Sequence, residues 1–146
     1  MPVFSSFAQV REDLAKHTAG LGREQVWRVV GGNSLGFQLK HIAGSVDRLT
    51  SYLAGVELTR EQLEFLRQES SGGAELGDLL ALVERSLFDA EERLRRIDPS
   101  SIYDTRSVGR RALPTTVVGL IVHLAEHTQR HLGQAITLAK IARQTN

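Results

Sequence analysis

The chain has 146 residues, 41% of them hydrophobic, and 18 Lys plus Arg against 17 Asp plus Glu give a formal net charge of +1. That length suits one domain, 1–146, built round a single core, and the charge lacks the basic excess usual in nucleic-acid-binding domains. There is no cysteine, which excludes disulfides, thiolate zinc sites and a cysteine nucleophile, so any metal must take nitrogen and oxygen ligands.

No run reaches the ~18 apolar residues of a membrane span. The opening MPVFSSFAQVRED has neither the basic start nor the long apolar core of a signal peptide. The expected location is therefore the cytoplasm.

Periodicity predicts a first helix over residues 5–20, capped by Ser5 or Ser6, with Phe7, Val10, Leu14, His17 and Leu21 on one face. Gly20 and Gly22 end it. His17 reads either as a core-edge histidine with a hydrogen bond or as a pocket residue. Residues 23–32, REQVWRVVGG, read as a link closed by a Gly31-Gly32 turn.

Asn33 or Ser34 then caps a second helix that runs to about Ala54. Its apolar stripe is Leu35, Leu39, Ile42, Val46, Leu49 and Leu53. His41 sits at the flank of that stripe, next to Gln38, Ser45, Gly44 and Phe37, small and polar neighbours that suit a cavity wall. By itself His41 reads as a surface or hydrogen-bonded histidine or as a ligand. Thr59-Arg60-Glu61-Gln62 has the capping-box pattern of a short helix over about 59–68.

After the loop Ser70-Ser71-Gly72-Gly73, a third long helix is expected over about 75–97. Its buried side is marked by Leu76, Leu79, Leu80, Val83, Leu87, Ala90, Leu94 and Ile97. Its other side, with Glu84, Arg85, Glu91, Glu92, Arg95 and Arg96, alternates in sign and reads as a solvated face. Residues 101–113 look irregular and are basic through Arg106, Arg110 and Arg111. Such a loop is either ordinarily solvated or, folded over a site, able to bind an anionic substrate group. Pro114 suits the first turn of a fourth helix running to about Arg143, with Gln144 to Asn146 as a fraying end.

Four long amphipathic helices with short connections predict an all-α, antiparallel-type four-helix bundle with a short extra helix between its second and third members. No strand pattern competes.

The chemistry concentrates in LIVHLAEHTQRHLGQ, residues 120–134, which carries His123, His127 and His131 at intervals of four. Each step of four turns a helical side chain by only about 40°. His127 and His131 can thus reach one metal ion, as i, i+4 histidine pairs do. Val117, Leu120, Leu124, Ala135, Leu138 and Ala142 share their side, which puts the pair in the middle of a buried stripe. Buried imidazoles need partners: a shared metal is one solution, hydrogen bonds from other helices another.

His123-Leu124-Ala125-Glu126-His127 matches the H-x-x-E-H signature of inverted zinc proteases, but only 19 residues follow His127. That leaves too little chain for the distant third ligand, and Glu126 turns about 100° away from His127. No Gly-rich phosphate loop and no serine in a nucleophile elbow is present. The coherent constellation is His41 with His127 and His131, three nitrogen ligands that leave coordination positions open, the catalytic rather than the structural arrangement. His123, one turn earlier, is a candidate pocket residue or support for a ligand.

Taken together, Gly32-Asn33-Ser34-Leu35 leading into Lys40-His41-Ile42-Ala43, Tyr52-Leu53-Ala54-Gly55, Leu58-Thr59-Arg60-Glu61-Gln62-Leu63 and above all His123-x-x-Glu126-His127-x-x-x-His131-x-Gly133-Gln134 resemble the DinB-like superfamily of metal-binding four-helix bundles. The resemblance covers nearly the whole chain. It implies metal ligands from one histidine in the second helix and an H-x-x-x-H pair in the fourth, which fall on His41, His127 and His131. It further implies a divalent metal, zinc or nickel, and a homodimer. The implied activity is that of a metal-dependent enzyme on small molecules in stress or detoxification, a thiol S-transferase using a low-molecular-weight thiol or a hydrolase-like relative. A non-catalytic metal- or ligand-binding module is the alternative within the family. The expected partner is a small-molecule substrate, with no nucleic acid and no membrane.

Overall fold

The first helix, α1 (Pro2–Thr18), starts earlier than its serines suggest, because Pro2 occupies the first turn, where a missing N–H costs nothing. The apolar stripe also reaches back to Val3, which is fully buried. This is a computed structural model of the chain, and it describes residues 1–144. The expected link at 23–32 contains a short helix, α2 (Arg23–Trp27). Val26 is wholly buried on it, and the Trp27 indole donates to the carbonyl of Ala74 at 2.9 Å. Gly31 and Gly32 then make the tight turn at positive φ, with Val30 and Asn33 bonded across it.

Helix α3 (Leu35–Leu53) is capped by Ser34, whose Oγ accepts from the Phe37 amide at 3.1 Å. It is the central element of the bundle: it packs against both α5 (Leu76–Arg95) and α6 (Val117–Gln144), and α1 packs on α6. Gly36 is required where α3 meets α2, since a Cβ there would lie 2.6 Å from the Trp27 ring.

The short α4 (Arg60–Arg67) bears the expected capping box: Gln62 N–H donates to Thr59 Oγ1 at 3.1 Å and Thr59 N–H to Gln62 Oε1 at 2.9 Å. The Gln62 amide also donates to Asp47 Oδ2 and Ser51 Oγ, both at 2.9 Å, which fastens α4 across α3. The architecture is thus the expected all-α four-helix bundle, formed by α1, α3, α5 and α6, with short helices in its connections.

Three local expectations fail. The segment expected to be irregular is a two-stranded antiparallel hairpin, β1 (Thr105–Val108) and β2 (Leu113–Thr116), in register Thr105 to Thr116 and Val108 to Leu113. Thr105, Val108, Thr115 and Thr116 are β-branched and favour the pleated backbone, and Pro114 is tolerated because a two-stranded ribbon is all edge. Pro114 therefore lies in β2, and α6 begins only at Val117. The first amides of α6 are taken by Asp104 O, Ile102 O and Thr116 Oγ1.

Second, Glu91 is not on a solvated face. It is 9% exposed and accepts from Arg11 Nη1 at 2.7 Å across the α1–α5 contact. Third, helix α5 stops at Arg95, short of the expected Ile97. At the other end of the chain, the expected fraying end lies outside the described residues for Thr145 and Asn146. No described helix is long and apolar enough to cross a membrane.

Candidate metal centre

The histidines of α3 and α6 meet where those helices pack. His41, His127 and His131 each present a nitrogen, and these atoms lie within 4.8 Å of one another. The ring centroids of His41 and His131 are 4.2 Å apart, those of His127 and His131 4.5 Å, and those of His41 and His127 5.4 Å. His127 and His131 do not lie in the middle of the buried stripe of α6. Thr128 and Leu132 do, at 1% and 2% exposure, while the two imidazoles sit half-buried at its edge, turned toward α3. The i, i+4 spacing aligns the pair, and the packing of α3 on α6 decides which edge of the stripe they occupy.

Two of the three rings are held by groups that fix their tautomer. The Nδ1–H of His41 donates to Glu69 Oε2 at 2.8 Å. A carboxylate only accepts here, so Nδ1 carries the proton and Nε2 keeps its lone pair. Glu69 is 2% exposed, and its other oxygen accepts from Arg48 Nη1 at 2.7 Å. This close meeting needs Gly44, where a Cβ would stand 2.5 Å from Glu69 Oε1 and 2.7 Å from both Arg48 Nη1 and Phe65 Cε1. Phe37 stacks on the His41 ring at 5.5 Å.

His131 is set by a longer relay. Its Nδ1–H donates to Gln38 Oε1 at 2.8 Å, and Gln38 Nε2 donates to Gln134 Oε1 at 2.7 Å. The Gln134 oxygen also receives the Asn33 amide at 3.5 Å, and Asn33 Oδ1 accepts from the backbone N–H of Ser34 at 2.9 Å. Since a backbone N–H can only donate, the direction of the relay is fixed from that end, and His131 too keeps Nε2 as its acceptor. His127 is different: its Nδ1 is buried with no hydrogen-bond partner among the described residues.

Residues 6–135 match the family model described as the DinB superfamily. The chain belongs to that superfamily. No curated protein matches it as a relative.

In this DinB-superfamily chain the residues present fit a divalent ion. An orphaned buried nitrogen costs about 1–3 kcal/mol, and His127, one of the three converging residues, carries such an atom at Nδ1. Buried carboxylate and amide partners on the outer nitrogens of His41 and His131 are the usual way metal-binding imidazoles are oriented. Three imidazoles without thiolate suit zinc, nickel and related borderline ions.

The remaining candidates fall elsewhere. His123 is not one of the three converging ligands and does not line the cavity beside them, but its ring stands 5.4 Å from that of His127, with Nδ1 2.7 Å from Glu126 Oε1. Glu126 pairs with His123 and with Arg130, away from the triad, so the H-x-x-E-H match has no protease geometry. His17 is half-buried at the end of α1, outside the cluster, and its backbone carbonyl accepts from Arg143 at 2.9 Å. The basic loop divides: Arg106 is pinned on the Leu53 carbonyl at 2.8 Å, whereas Arg110 reaches the cavity. Glu69 is the residue that sequence reading missed, lying 28 positions from His41 just beyond α4. The only available sign of it was a lone acid before the Ser70-Ser71-Gly72-Gly73 loop.

A cavity of about 480 Å³ opens beside the triad of this DinB-superfamily protein. His41 and His127 line it together with apolar side chains, among them Leu49, Leu63, Leu66 and Val108. Two ring nitrogens that can hold an ion thus face a largely apolar chamber of small-molecule size.

The histidines also tie the fold to pH. Burial first, and then the neighbouring His41, push both His127 and His131 down to about 4 from the ordinary 6.5. A depressed folded-state value means that the unfolded chain binds more protons between those pH values, so their contribution to stability is complete above about pH 6.5 and drains away as pH falls toward about 4. Urea midpoints measured with chelator present are expected to fall over that window in the wild type and less in His127→Ala. Metal affinity is expected to fall on the same side, because imidazole ligates only when neutral. A midpoint equally flat in both proteins between pH 7 and 4 would refute the assignment.

Proposed function

We propose that this chain is a divalent-metal-dependent enzyme of small-molecule metabolism, a thiol S-transferase or a hydrolase-like relative, in which His41, His127 and His131 hold zinc or nickel. The observation that carries the reading is the convergence of three imidazoles, one with an orphaned buried nitrogen, on the wall of an apolar cavity. A divalent ion held there supplies Lewis acidity that lowers the pKa of a coordinated thiol or water. The chain's own contribution is positional. Glu69 and Gln38 hold the His41 and His131 rings with Nε2 unprotonated, and the leucine-lined wall receives the apolar part of a substrate. In the S-transferase form a low-molecular-weight thiol gives up its proton, and its sulfur displaces a leaving group from an electrophilic carbon. The family resemblance supports a cytoplasmic homodimer acting in stress or detoxification, with no nucleic-acid or membrane partner.

One observation favours the second reading, a metal- or ligand-binding module without turnover. The acid beside the triad is Glu69, and both of its oxygens are committed, one to His41 and one to Arg48, so it is not a free general base.

The deciding experiment is elemental analysis of untagged protein followed by conjugation assays of glutathione or cysteine with 1-chloro-2,4-dinitrobenzene, with and without chelator. Bound zinc or nickel and conjugation abolished by chelator are expected. Bound metal with no conjugation leaves the binding module, and no metal after loading with both ions discards the metal reading.

A further inference from the structure

The hairpin of β1 and β2 supplies part of the wall beside the histidines. Val108, Gly109 and Arg110, at its tip, line the same cavity as His41 and His127. The hairpin is built to stay there. Arg106, in β1, donates through Nε to the Leu53 carbonyl at the end of α3, beside the turn that Gly55 makes at φ +72. The tip turns tightly through Gly109 at φ +76 and Ala112 at φ +47. A non-glycine residue in that region persists only where its surroundings hold it.

Beside the histidines the cavity wall carries three charged side chains, Arg48, Glu57 and Arg110. Arg48 is spent on Glu69 at 2.7 Å. Glu57 is exposed, as Arg110 is, and it also lines the neighbouring cleft beside Arg106. Among the described residues Arg110 has neither ion pair nor hydrogen bond, and it is exposed. Leu49, Leu58, Leu63, Leu66 and Val108 give the wall its apolar surface, with Ser45 and Tyr52 among them. Leu63 and Leu66 of α4 are each 39% exposed and both line this cavity.

We propose that the cavity takes a small molecule with an apolar body and an anionic end, the anion seated on Arg110 and the body lying along Leu49, Leu63 and Leu66 toward His41 and His127. This rests on reading the cavity as the substrate site, and it does not depend on which metal the histidines hold. A guanidinium on a rigid hairpin gives such a site its polarity, because a carboxylate or sulfonate pairs with it through charge-assisted bonds while the apolar wall rewards a hydrocarbon body. The reacting part of the substrate is then its uncharged end.

The test is calorimetric titration of the full chain with three probes that share a six-carbon body: hexane-1-sulfonate, hexan-1-ol and hexyltrimethylammonium. A sulfonate is a poor metal ligand, so its advantage reports on Arg110 and not on the histidines. The sulfonate is expected to bind about tenfold tighter than the alcohol. Arg110→Gln is expected to remove that difference and leave the alcohol unchanged, and Leu63→Asp to weaken both. Both side chains are exposed, so both variants are expected to fold, with the melting curve as the check. Equal affinity for sulfonate and alcohol, a sulfonate preference that survives Arg110→Gln, a preference for the ammonium, or no binding of any probe would each overturn the proposal. Metal content of the same samples separates this from the functional reading. Sulfonate preference in protein that cannot be loaded with metal sinks the metal reading alone, and metal without that preference sinks this inference alone.

Discussion

Replacing His127 by Ala is expected to abolish metal binding while leaving the metal-free bundle about as stable as the wild type. Both halves follow from one ring. His127 Nδ1 is buried without a partner, so the metal-free protein already bears the desolvation cost of that nitrogen, about 1–3 kcal/mol. Removing the ring removes the cost along with its packing, and the two changes oppose each other. The ring is half-buried at the edge of the stripe, which limits the packing that is lost. Metal binding has no such compensation, since two imidazoles remain where three converge. A ligand present at about 100 times its dissociation constant stabilises the folded state by about 2.7 kcal/mol. Urea unfolding with and without zinc or nickel is therefore expected to show a metal-dependent gain of that order in the wild type and none in His127→Ala. If the variant keeps the gain, the ion is held elsewhere. If the metal-free variant loses several kcal/mol, His127 is a packing residue and not a ligand.

Glu69→Ala is expected to be far more damaging to the fold, by about 3–5 kcal/mol, because it leaves a buried guanidinium without its anion. Arg48 is 8% exposed and its Nη1 is bonded to Glu69 Oε1 at 2.7 Å. The pair itself need not stabilise the fold, since replacing both members by apolar groups of similar volume is often neutral or favourable. Arg48→Met combined with Glu69→Leu is therefore expected to recover most of the lost stability. It is not expected to recover metal affinity. The His41 ring loses the acceptor on Nδ1 in both variants, and losing such a partner typically lowers metal affinity about 10–100-fold. Urea unfolding and competitive metal titration of the single and double variants separate the two roles of one carboxylate. A double variant that regained full metal affinity would show that Glu69 serves Arg48 only.

The sequence by itself determined whatever depends on spacing within one helix. The 3.6-residue period marked the four bundle helices, and the interval of four aligned His127 with His131 on α6. The Thr59–Gln62 capping box and the Ser34 cap are written within three residues of chain and formed as read. Gln38 stood next to His41 on the same helix face and proved to be the partner of His131. Within its own helix His41 was only a flanking histidine; it joined the pair as the third nitrogen ligand of a constellation that the family resemblance then supported. What only the tertiary structure decided are the contacts between elements far apart in the chain, which no local period encodes. Glu69 reaches His41 from 28 residues away through a turn after α4, and Glu91 leaves a face that reads as solvated to meet Arg11, 80 residues distant. The hairpin of β1 and β2 escaped because its strands are short, carry Pro114 and arginines, and show no clean alternation of apolar and polar residues. Its pinning to Leu53, and with it the arrival of Arg110 on the wall of the cavity, comes from long-range hydrogen bonding that exists only once α3 and α6 have packed.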